Sequence, residues 1–213
     1  MILDEIKQID NTVQTYFSDF SKYCTTQPSV FTMSLCFHTD IHRTVKKPLN
    51  IEDLRGLAST SSNMSNMPYM SKYKSFKNCI LLKANRTSVK VFTNGTVHMT
   101  GSKTVLDGYN IVEKMVKEVL DKSECSITSY RIFMMNISLK LITNYLDLDV
   151  LYDRFKQNNT PCYYDKNKHA ALKIKFSKIS ILIFSSGSIL IMGSKSTYDI
   201  KTMFEWLKEN LIS

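Results

Sequence analysis

Apolar residues open the chain at helical spacing. Ile2, Ile6, Ile9, Val13, Phe17 and Phe20 recur every three or four positions and predict an amphipathic helix. Beyond it the β-branched and aromatic run 30–41 predicts a strand, 51–58 a short helix, and the Ser-, Asn- and Met-rich 59–75 a loop. A strand follows over 77–84, then a hairpin of 88–92 and 96–100 closed by Thr93, Asn94 and Gly95. Asn-Gly is the strongest short-range hairpin signal because both residues tolerate positive φ. Gly101, Ser102, Lys103 and Thr104 lead into a helix with Tyr109, Val112, Met115, Val116, Val119 and Leu120 on one face.

The same order then recurs: strand 130–141, helix 148–157, strand 170–175, hairpin 179–192, and helix 198–211 with the stripe Ile200, Met203, Phe204, Leu207 and Leu211. Segment 89–103 aligns without a gap on 181–195, an offset of 92 residues. Phe92 with Phe184, Gly95 with Gly187, Gly101 with Gly193, Ser102 with Ser194 and Lys103 with Lys195 are identical. Two copies of one unit, 29–124 and 125–213, follow an N-terminal helical extension over 1–28. Strands mixed with helices in this order predict an α+β fold, an antiparallel sheet with helices on one face. Alternation puts Val89, Val91, Val97 and Met99 on the face under the helix and Phe92, Asn94, Thr96, His98 and Thr100 on the other. Phe184, Ser186, Ser188, Leu190 and Met192 occupy that second face in the second copy.

Charge sharpens this picture. The net charge is +9, and residues 54–106 hold eight Lys or Arg and no Asp or Glu; 166–198 hold six Lys and again no acid. Two acid-free windows predict a surface that meets a polyanion. Five scattered cysteines without Cys-x-x-Cys spacing speak against a disulfide framework and a zinc knuckle. His38 and His42 stand four apart, but within a strand pattern that separation does not converge on a metal. No cofactor is expected. The acids within the first apolar stretch do not suit a secretory signal, and no apolar run approaches a membrane span, so the expected setting is intracellular.

The Phe-x-x-Gly hairpin, the closing Gly-Ser-Lys before a long helix, and their tandem duplication resemble the core domain of the TATA-box-binding protein family, over residues 29–213. The resemblance implies two pseudo-symmetric repeats in a curved saddle whose concave face lies in the DNA minor groove, with helices on the convex face. By position, Phe92 and Phe184 match the hairpin wedges of that family and Phe76 the second wedge of the first repeat, where the second repeat carries His169. Asn136 and Thr100 match one Asn and one Thr at the centre of the groove, and Ser29 and Met192 stand at the other two positions. Arg86 and Lys178 match phosphate-contacting arginines, and Lys103 and Lys195 match hairpin-end lysines.

The implied function is a transcription initiation factor that binds and bends A·T-rich promoter DNA as a monomer and recruits basal transcription factors and the RNA polymerase machinery. It implies no enzyme, no cofactor and no membrane, and a nuclear setting or a cytoplasmic viral factory. A protein-interaction scaffold that keeps the fold without DNA binding is the alternative, which Ser29, Met192 and His169 favour and the acid-free windows oppose. A glycosylase ranks third, for want of a helix-hairpin-helix glycine pattern or a nucleophile motif.

Overall fold

A computed structural model describes residues 1–41, 74–75, 77–84, 86–119, 125–143 and 145–212. The expected helix over 51–58, most of the loop over 59–75, His42 and Phe76 lie outside the described residues. Elsewhere, with two added short strands at Lys74–Ser75, the end of the expected loop, and Cys162–Tyr163, the elements follow the predicted order. They are α1 (Ile2–Ser21), β1 (Cys24–Thr39), β2 (Lys74–Ser75), β3 (Cys79–Ala84), β4 (Thr87–Phe92), β5 (Thr96–Ser102), α2 (Val105–Lys114), β6 (Ile127–Leu141), α3 (Leu148–Gln157), β7 (Cys162–Tyr163), β8 (Ala171–Phe176), β9 (Ile179–Phe184), β10 (Ser188–Ser194) and α4 (Thr197–Leu207). A π-helical turn extends α2 over Met115–Val119 and another extends α4 over Lys208–Ile212.

The chain forms two compact units. The first comprises 1–7 and 32–133, the second 8–31 and 134–213, so α1, β1 and β6 each contribute to both. In unit 1 the hydrogen-bonded order is β2-β3-β4-β5-β1-β6, and in unit 2 it is β1-β6-β10-β9-β8-β7, with every ladder between consecutive hairpin strands antiparallel. β1 begins six residues earlier than its pattern suggests, and that first half meets no β5 partner: the β5 register starts at Met33. Pro28 is tolerated there, where a ladder hydrogen bond is dispensable.

Each unit packs helices on one face of its strands. In unit 1, α2 lies over Leu35, Phe37 and Met99, with Val105 and Val112 fully buried. In unit 2, α4 packs on β10 and α3 on β8, and Trp206 lies tilted against Phe155 at 5.5 Å and edge-on to Phe176 at 5.1 Å. The amphipathic stripe of α1 lies on this helical layer: Phe17 and Phe20 pack on Phe204 at 6.0 and 4.4 Å between ring centres. Thr104 caps α2 by accepting from the Asp107 N–H, and Ser196 with Asp199 forms a capping box on α4.

Both hairpins differ from the expected turn in one respect. Only Gly95 and Gly187 have positive φ; Asn94 does not. The loops have three residues, closed by the Gly95 N–H donating to Phe92 O and the Gly187 N–H to Phe184 O. A type I turn followed by one left-handed glycine suits Thr-Asn-Gly and Ser-Ser-Gly equally, whereas two positive-φ positions would strain Ser186. Asn94 acts through its side chain, whose Oδ1 accepts from the Thr96 N–H at 3.0 Å.

Candidate nucleic-acid interface

The helix-free face of each unit is built from alternate residues of its strands. On unit 1, the rungs Cys79–Phe92, Lys90–His98 and Cys36–His98 set four strands in register. Phe92 is half-buried on that face, while Val89, Val91 and Val97 lie buried on the other. The His98 ring stands edge-on between Phe92 and Phe133, at 4.9 and 5.3 Å, and Arg131 lies over Phe133. Burial holds the His98 imidazole below the usual histidine range, and nearby Lys90 and His38 push the same way, so the ring is neutral at pH 7. His38 spans Cys36 Sγ at 3.8 Å and Thr96 Oγ1 at 3.3 Å through its two ring nitrogens.

On unit 2, Phe184 is likewise half-buried on the helix-free face. It lines a pocket of about 410 Å³ with His169, Met192, Leu182, Ala171 and Lys173. His169 is exposed and seated by a turn in which its N–H donates to Asp165 O at 2.8 Å. Lys173 and Lys175 alternate with buried Leu172 and Ile174, which places both lysines on the side of Phe184.

The closing Gly-Ser-Lys has a structural cause that the two units share. Met33 pairs with Ser102 and Ser34 with Thr100, so Gly101 is an extra residue on β5; between Ile191 and Ser194 the register of β10 on β6 shifts likewise. Gly101 and Gly193 take φ of +109° and +93°, and a Cβ there would come within 2.5 Å of Arg86 O and 2.8 Å of Lys178 O. Bulges of this kind need glycine. They hold Arg86 and Lys178 beside the strand ends that carry Lys103 and Lys195, all four exposed.

The remaining site candidates fall as follows. The Thr100 hydroxyl is 3.2 Å from that of Ser34 in unit 1. In unit 2 Asn136 is buried, and its Oδ1 accepts from the Gly193 N–H at 3.1 Å, which fastens the bulge. Ser29 lies 3.4 Å from Ser138, so the residue that matches Asn136 by register is Ser34 rather than Ser29. Buried positions run 28 and 30, then 33, 35 and 37, so the alternation reverses within β1, a shift no local pattern announces. Sequence reading therefore passes over Ser34, Cys36 and Phe133, and weighs His38 only against a metal. On β3 and β8 the offset of 92 holds, since Cys79 faces Phe92 as Ala171 faces Phe184; Lys168 stands three residues before Ala171, as Phe76 stands three before Cys79.

The family model for transcription factor TFIID (or TATA-binding protein, TBP) matches residues 134–212. A TATA-box-binding protein-like protein of Acanthamoeba polyphaga mimivirus is 26% identical over 158 residues, 60% of this chain and 43% of its own length. TATA-box-binding protein 1 of Methanosarcina acetivorans is 26% identical over 122 residues, 57% of this chain and 67% of its own. The chain thus spans less than half the length of the mimivirus relative. Among solved structures it is similar in fold to the Methanococcus jannaschii TBP, with a TM-score of 0.62 and 17% identity over 87% of this chain and 98% of that one.

Proposed function

We propose that the chain is a divergent member of the TATA-box-binding protein family, a reading supported by its matches to that family. It binds and bends A·T-rich promoter DNA through the minor groove and recruits basal transcription factors and the RNA polymerase machinery. The observation that carries the reading is the matched placement of Phe92 and Phe184. Each sits on the helix-free face of its unit, at the end of a hairpin, with a lysine on the same face: Lys90 two positions before Phe92, and Lys173 in the pocket with Phe184. An aromatic side chain that leaves the core in both copies is suited to wedge between base pairs, and the lysines to neutralise phosphates. Repeats 29–124 and 125–213 would each serve half of the site, as a monomer on DNA, in a nucleus or a cytoplasmic viral factory. The chemistry is mechanical: binding, unstacking and bending, with no covalent step.

Fluorescence anisotropy on A·T-rich and G·C-rich duplexes at several salt concentrations tests the reading. Log K falls linearly with log salt with a slope of several units, and Lys103→Ala or Lys195→Ala each lowers the slope by roughly 1 while weakening all sequences alike. The aliphatic helix-free face of unit 2, with Leu182, Leu190 and Met192, favours a second reading, a protein-interaction scaffold. Salt-independent binding, or none at low salt, decides for the scaffold.

A further inference from the structure

We propose that the two units read the minor groove differently: the helix-free face of unit 1 accepts a base amino group there and that of unit 2 rejects it, so that only one half of the preferred site is restricted to bare A·T edges. This rests on the DNA-binding reading above. The units match rung for rung, yet at three paired positions on this face the polarity changes. Lys90, His98 and Thr100 of unit 1 correspond to Leu182, Leu190 and Met192 of unit 2. The contrast is confined to the hairpin strands: on the neighbouring strand Ser34 and Cys36 lie beside Thr100 and His98, and Asn136 and Ser138 hold the matching places in unit 2.

The minor groove makes that contrast legible. A·T and T·A pairs present only acceptors there, whereas G·C adds the guanine amino group, a donor that projects from the groove floor. A neutral imidazole carries one donor and one acceptor, and a hydroxyl carries both. His98 is neutral at pH 7, and among the described residues its ring nitrogens have no hydrogen-bond partner, so the acceptor is available. Thr100 and Ser34 add two hydroxyls that exchange donor and acceptor roles. Leu182, Leu190 and Met192 themselves offer the amino group no acceptor, and a donor stripped of water without a partner is penalised. Ser138 opposite Leu190 and Ser180 opposite Met192 have counterparts in Cys36 and Ser88, so the difference between the units rests on His98 and Thr100.

The test uses 2,6-diaminopurine, which adds the amino group to the minor-groove edge of an A·T pair and leaves the major-groove edge unchanged. Three duplexes carry the same A·T site unmodified, substituted in one half, or substituted in both. A protein free to bind in either orientation lays unit 1 on the modified half, so the one-half duplex binds within about threefold of the unmodified one. The doubly modified duplex binds roughly tenfold or more weakly, the scale of one mismatched base pair. His98→Leu combined with Thr100→Met makes the one-half duplex as weak as the doubly modified one, and Leu190→His relieves the penalty on the latter. Equal losses for one and two modified halves, no loss for either, or tolerance that survives the unit 1 variant overturns the inference while leaving DNA binding intact. Absence of binding to the unmodified duplex is a separate result, which removes the DNA reading and this inference with it.

Discussion

Phe92→Ala removes most of the DNA bend and weakens binding by about a hundredfold, a few kcal/mol, read by energy transfer between dyes at the duplex ends and by anisotropy. Unstacking a base step costs a few kcal/mol, which an inserted ring offsets by stacking and by drawing more protein onto the bent duplex. Phe92 is placed for this by the Cys79–Phe92 rung and backed by the His98 ring at 4.9 Å. Alanine leaves the rung intact, so the fold survives and the wedge does not. The end of the site under His169 is expected to kink less, since an imidazole offers less apolar area than a phenyl ring. His169→Phe fills more of the pocket that His169 shares with Phe184 and so increases the bend, tightening binding by about 1 kcal/mol for a few tens of Å² of added apolar contact. An unchanged angle in His169→Phe beside a reduced one in Phe92→Ala removes position 169 from the wedge set. If neither variant alters the angle, the protein does not bend DNA.

Phe20→Ala lowers the stability of the fold by about 3–5 kcal/mol, a large share of the roughly 5–15 kcal/mol that holds such a domain together. The ring is fully buried, packs on Phe204 at 4.4 Å and on Tyr23 at 5.5 Å, and lies under the Lys208 ammonium. Its loss opens a cavity where α1 packs on α4 beside Tyr23. Urea denaturation measures the change, with Lys22→Ala, exposed on the same segment, as a control expected within about 0.5 kcal/mol. A loss below about 1 kcal/mol for Phe20→Ala would make α1 a peripheral extension.

Much of the sheet and its helices is legible in the sequence because each hairpin is a local object. Alternation across 88–100 and 179–192 needs only neighbours in the chain to settle which residues face the helices, and the buried valines and isoleucines follow it. Phe92 and Phe184 are readable for the same reason, as are the caps of α2 and α4, where Thr104 and Ser196 act on residues three positions on. The long strands behave otherwise. Pro28 masks the start of β1, and the reversal of alternation between Val30 and Met33 moves the residue matching Asn136 from Ser29 to Ser34.

The sequence by itself determined the element types, the duplicated hairpin with its glycines, the face that carries the two phenylalanines, and the acid-free charge windows, all of them properties of residues within a few positions of one another. Tertiary structure alone decided that Phe133 and His98 meet, 35 positions apart, that Asn136 is spent on fastening the Gly193 bulge, and that α1 lies on α4. Those outcomes depend on the register of pairings between distant segments. A single extra residue at Gly101 changes which side chains meet across the strands, and hydrophobic periodicity is the same for every register that keeps the apolar face covered.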